Sequence, residues 1–195
     1  MSHRKLLPLL GAATLAAAAS SAFAHTGADA VSHHGFVTGF LHPLTGLDHL
    51  AAMLAVGVWS ATTTRRLWRA PLAFAALLFV GAVLAQAGLA LPATEPMIAA
   101  SMLVVGLLLA AQVRLPEIAG AALVGAFALF HGAAHGQELA GSAALVGMVL
   151  GTAALHATGI ALGLGFRRLS VWMPRAAGAA VALMGLHMGW SLLAG

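Results

Sequence analysis

From residue 36 to residue 194 this sequence runs through six apolar stretches, each about 20 residues or longer, enough to cross a bilayer as a helix. They cover roughly 36–61, 70–91, 96–113, 116–137, 141–165 and 174–194. Backbone N–H and C=O groups in lipid must be satisfied within the segment, so stretches of this kind are helices. The breaks carry the punctuation: Arg65, Arg66 and Arg69; Pro92 to Pro96; Arg114-Leu115-Pro116; Gly136 to Gly141; Arg167 to Pro174. Charged residues make up 7% of the chain and hydrophobic ones 61%, with a mean hydropathy of +0.97. So few charges do not cover a water-soluble core. A soluble enzyme, a disordered chain and a coiled coil are thereby excluded. An all-α integral membrane protein with six transmembrane helices and short loops remains, with the lipid bilayer as its surroundings. The high isoelectric point does not make it a nucleic-acid binder, because the basic residues sit in small groups between apolar runs and form no basic face.

The first 24 residues have the layout of a secretory leader. Arg4 and Lys5 are followed by an apolar run from Leu6 to Ala19, and Ala22-Phe23-Ala24 fits a small-x-small cleavage site. Residues 1–24 are therefore expected to be a signal peptide and 25–195 the six-span membrane domain. Export of the new N-terminus puts loops one, three and five in the cytoplasm. These loops hold Arg65, Arg66, Arg69, Arg114, Arg167, Arg168 and Arg175, every basic residue after the leader. The positive-inside rule thus gives, independently, the same arrangement with both ends outside. The leader suggests a bacterial inner membrane. The pairs Gly35/Gly39, Gly132/Gly136, Gly147/Gly151, Gly159/Gly163 and Gly185/Gly189, each four residues apart, are expected to let helices approach closely.

Lys5 is the only lysine, which excludes a phosphate-binding P-loop, and the absence of cysteine excludes thiolate sites and disulfides. Ionisable groups inside spans are costly and mark sites. Here they fall in two clusters. His42, Asp48 and His49 lie in the first span; His131, His135 and Glu138 lie at the end of the fourth. His131 and His135 are about 6 Å apart along a helix and share a face, a spacing suited to chelating a divalent ion. Glu138 falls in register, either as a third ligand or to orient an imidazole. His42 and His49 are about 10 Å apart along a regular helix. Either Pro43 breaks the helix and swings His42 inward, or the two histidines are successive stations on a path. Both clusters fall in the outer half of the membrane and are expected to converge, and spans one and four hold equivalent places in two three-helix halves, as an inverted repeat would have them. His156 and His187 read as packing residues, and His25, His33 and His34, with Asp29, as an external polar tail or a metal-collecting one. Imidazole and carboxylate without sulfur suit nickel, cobalt, zinc, copper(II) or iron.

The motifs His42-x5-Asp48-His49 and Phe130-His131-Gly-x-x-His135-Gly-x-Glu138 resemble those of the HupE/UreJ family of nickel permeases. The resemblance extends over essentially the whole chain after the leader. It implies a secondary transporter, not an enzyme, that imports nickel or cobalt from periplasm to cytoplasm to supply hydrogenase or urease. The metal would be its substrate, with no resident cofactor, and His42, Asp48, His49, His131, His135 and Glu138 would carry it. Two other readings compete: an intramembrane metalloenzyme using a His/carboxylate-bound metal, and a haem protein with two axial histidines. Histidine-box membrane oxygenases resemble the former but use more ligating histidines than these spans supply.

Overall fold

The computed structural model describes residues 35–194, and the expected signal peptide at 1–24 and the tail residues His25, Asp29, His33 and His34 lie outside them. Seven helices and no strand occur among the described residues: α1 (Phe36–Thr45), α2 (Leu47–Thr63), α3 (Arg69–Gln86), α4 (Thr94–Ala111), α5 (Glu117–Glu138), α6 (Ser142–Leu169) and α7 (Trp172–Ala194). The helices α3 to α7 are each long and apolar enough to cross a membrane, and α1 with α2 passes the same test as one broken span. This is an all-α membrane protein.

Of the two alternatives for the first span, the structure shows a broken helix. It bends by 85° between α1 and α2, and the break falls at Gly46, not at Pro43. Pro43 sits inside α1, where it cannot donate to the carbonyl four residues back. Gly46 is extended (φ −95°, ψ 120°) and starts a new helix at Leu47. Two other boundaries move. The second span ends at Gln86 and not near residue 91, because Gly88 (φ +86°) takes the left-handed position that closes the helix, with Gly88 N–H donating to Ala85 and Leu89 N–H to Leu84. Arg167 and Arg168, expected in a loop, form the last turn of α6, where cations complement the carbonyl-rich helix end.

Small residues let the helices pair in backbone contact. A Cβ on Gly132 or Gly136 would run into the backbone of Leu78 or Ala82, so α5 lies directly on α3. Gly147 and Gly151 face Phe36 and Phe40 of α1, and Gly159 faces Leu54 and Gly57 of α2, joining α6 to the broken span. Gly106 and Gly178 meet between α4 and α7. Three of the five expected glycine pairs pack at both positions. Gly35 and Gly189 have nothing within 4 Å, and α7 uses Gly178 and Gly185 instead. Exchanging the first three spans for the last three maps the α2–α6 pairing onto α5–α3 and α4–α7 onto itself. The histidine clusters do not follow that exchange, since both sit toward one end.

Chain direction puts Arg65, Arg66, Arg69, Arg114, Arg167, Arg168 and Arg175 at one end of the bundle. That end is closed. Arg69 Nη1 lies 2.6 Å from Glu117 Oε2, Arg66 Nε lies 3.6 Å from it, and the fully buried Trp59 donates Nε1–H to the Val113 carbonyl at 3.0 Å.

Gly132→Ala is expected to lower the thermal midpoint of the detergent-solubilised protein, at a cost of about 1–3 kcal/mol from overpacking. Gly189→Ala is expected to stay within about 0.5 kcal/mol of wild type in the same melt.

Candidate metal centre

The break at Gly46 does two things for the site. It carries α1 across α6 so that His42 reaches the end of α5, and it makes a new helix N-terminus inside the membrane domain. Asp48 lies in the first turn of α2, where unpaired N–H groups favour a carboxylate. Its Oδ1 is 3.1 Å from His49 Nδ1. Thr45 does not hold Asp48, because its hydroxyl donates to the His42 carbonyl at 2.7 Å. The cost of an acidic group here is met by a helix end and an adjacent imidazole.

His42 Nε2 is 2.8 Å from Glu138 Oε2, a contact spanning 96 residues of sequence. His135 Nδ1 lies 3.9 Å from the same oxygen. One ligand atom from each of His42, His135 and Glu138 falls within 4.8 Å of the others. Ligands about 2.0–2.1 Å from a shared divalent ion sit about 3–3.5 Å apart, so movements under an ångström would bring these three onto one ion. Glu138 does not stand beside His131, as its spacing had suggested, but between His42 and His135. Side-chain exposure falls from 55% at Glu138 to 16% at His42 and 3% at His135, which grades the site from water into the bundle.

The remaining expected residues continue inward. The His49 ring centroid is 4.1 Å from that of His135 and 4.9 Å from that of His131, and His42 is 4.7 Å from His135. The two clusters therefore converge, as a three-residue outer group followed by a ladder of rings. Only part of their hydrogen-bonding capacity is used. Both ring nitrogens of His135, Nδ1 of His131 and Nε2 of His49 are buried without a partner.

Ser101 and Phe74 complete the site and escaped the sequence reading. Ser101 Oγ is 2.7 Å from His131 Nε2 and donates its own proton to the Ile98 carbonyl at 2.7 Å. Its oxygen therefore accepts from His131 Nε2–H, and in the neutral ring the lone pair falls on the buried, unpartnered Nδ1. A solitary buried hydroxyl in the apolar third span is the only sequence signal for it. Phe74 packs against His131 with centroids 5.5 Å apart, and nothing in its sequence surroundings marks it. Gln86 Nε2 donates to the Leu139 carbonyl at 2.8 Å and pins the turn just after Glu138. His187 is exposed on α7 and takes no part, while His156 is buried but, contrary to a satisfied packing role, has both ring nitrogens unpartnered.

A polytopic helical bundle with a graded His/carboxylate cluster and no extramembrane domain among its described residues has the makings of a membrane transport protein. The chain matches the family described as "HupE / UreJ protein" over residues 13–188 and belongs to that family, which is one of membrane permeases and not of enzymes. It is 43% identical over 191 residues to Protein HupE of Rhizobium leguminosarum bv. viciae, covering 95% of this chain and 97% of that one. No solved structure matches the chain.

Ser101→Ala is expected to cost about 1–2 kcal/mol in thermal stability, because it leaves His131 Nε2–H buried with no acceptor. A melting curve superimposable on wild type would show that the hydroxyl is dispensable to the ring.

Proposed function

We propose that the chain is a nickel permease of the bacterial inner membrane, able also to handle cobalt, that imports the ion to supply hydrogenase or urease. The observation that carries this reading is the approach of His42, His135 and Glu138 within 4.8 Å from two helices far apart in sequence. Nitrogen and oxygen donors without sulfur suit a divalent ion of this class, and the family resemblance names nickel among them.

In this reading the arginine-bearing end faces the cytoplasm and the Glu138 end the periplasm, with residues 1–24 removed as a leader. The half-exposed Glu138 draws the hydrated cation by its charge, and His42 and His135 replace water molecules in its shell. His49 and His131 then offer unpartnered nitrogens one ring further in. Asp48 orients His49, and Ser101 orients His131. The Arg69–Glu117 pair and Trp59 keep the cytoplasmic end shut while the ion loads.

Nickel-starved cells expressing the chain are expected to accumulate nickel well above vector controls, with cobalt competing more strongly than zinc. His135→Ala and Glu138→Gln, at matched membrane levels, are expected to lower uptake at least about tenfold, the scale of losing one charge-assisted ligand contact. Wild-type accumulation equal to vector, with membrane expression verified, would refute the proposal. Orientation has its own readout: alkaline phosphatase fused after Gly195 is expected to be active, and N-terminal sequencing of the purified protein is expected to begin at His25. An inactive phosphatase fusion in the membrane would reverse the assigned direction of import.

A further inference from the structure

The ladder of rings continues past the residues assigned above. Phe74 lies between two histidines: its ring centroid is 5.5 Å from that of His131 and 5.1 Å from that of His156 on α6. His156 is 1% exposed, and neither of its ring nitrogens has a partner. One turn earlier on the same face, Thr152 is wholly buried and its hydroxyl is also unpartnered. A helical threonine hydroxyl normally returns to a carbonyl three or four residues back. Thr62 and Thr158 both do so in this chain, at 2.9 Å. Thr152 does not, so its oxygen and the imidazole of His156 form a patch of three unused polar atoms in the middle of the longest helix.

Such a patch is expensive. Buried polar atoms without partners destabilise a fold, and an apolar side chain of similar size would remove the cost. The patch has no charged neighbour among the residues already placed in the site, and its nearest ring is the apolar Phe74. Depth gives it a place. His131 is seven residues in from Glu138, about 10 Å along α5, whereas His156 is fourteen residues in from Ser142, about 21 Å along α6, and only a short turn joins those two helix ends. His156 is therefore about two turns deeper than His131, toward the arginine-bearing end.

We infer that His156 and Thr152 form a second, inner site for a divalent cation, separated from His131 by the ring of Phe74. An imidazole nitrogen and a hydroxyl oxygen suit the same class of ion as the outer group. With one nitrogen donor the inner site binds more weakly, which is what a site that must release its ion toward the far side requires. Its role as a step in transport rests on the permease reading; its existence as a cation site does not.

Two substitutions test it. His156→Phe keeps the bulk and removes both nitrogens. Nickel uptake is expected to fall at least about tenfold, while the purified variant keeps the wild-type cobalt(II) d–d absorption of the outer histidines and melts no lower than wild type. His156→Cys places the only thiol in a chain that has no cysteine. Purified in detergent and titrated with cobalt(II), it is expected to give a thiolate-to-metal charge-transfer band in the near ultraviolet that wild type lacks. Uptake by His156→Phe within twofold of wild type would overturn the inner site, and so would the absence of the thiolate band while cobalt occupies the outer histidines. If wild-type cells accumulate no nickel, the permease reading fails, and the thiolate band still decides whether a cation reaches position 156.

Discussion

The site depends on helices whose backbones touch. In lipid there is no hydrophobic drive between spans, and association rests on close packing. Gly132 and Gly136 lie against Leu78 and Ala82, which fixes α5 on α3 at the level of His131 and His135. A β-carbon at Gly132 would push the helices apart between the two histidines themselves. The same glycines that permit the contact thus set where the imidazoles stand. On the other side Gly147, Gly151 and Gly159 hold α6 against both halves of the broken span, and so set the reach of His42 and the position of His49.

Upon that frame the polar chemistry is ordered by access to water. Glu138 is the most exposed of the group, His42 and His135 are progressively less so, and His131 is fully buried. A cation moving along this gradient would exchange water oxygens for protein atoms a few at a time, avoiding the large penalty of stripping its shell in one step. The unpartnered nitrogens are the counterpart of that design. They weaken the empty protein, and they are the atoms able to accept a cation. At the opposite end Arg69 pairs with Glu117, and Trp59 donates to the Val113 carbonyl. One end is left with unsatisfied nitrogens and the other is tied by an ion pair.

Much of this was legible in the sequence, for reasons that differ by element. The helices followed from length and hydropathy, since lipid permits no other backbone for such stretches. The clusters around His42 and His135 stood out because ionisable groups in apolar runs are conspicuous. The break was harder. Proline drew attention as the usual cause of a kink, but Pro43 is accommodated within α1, and Gly46, unremarkable among 23 glycines, takes the extended conformation. Glu138 seemed to belong with His131 because the register of one helix was all the sequence offered, whereas its actual partner comes from α1, 96 residues away. Ser101, Phe74 and the unsatisfied state of His156 depend wholly on which helices become neighbours, and spacing along one strand of sequence carries no information about that.

The three helix pairs distribute the site unevenly. His42, His49 and His156 belong to the assembly of α1, α2 and α6; His131, His135, Glu138 and Phe74 to α3 and α5; Ser101 to α4 and α7. Contacts within each pair are backbone against backbone and leave little room to shift, so any relative motion would fall to the seams between pairs. His42 and His135 face each other across such a seam. A cation shared by them would act as a rivet between two otherwise separable bodies, and its departure would free them to slide. Cargo and fastener would then be the same atom, and the rigidity of the bundle would itself report whether it is loaded.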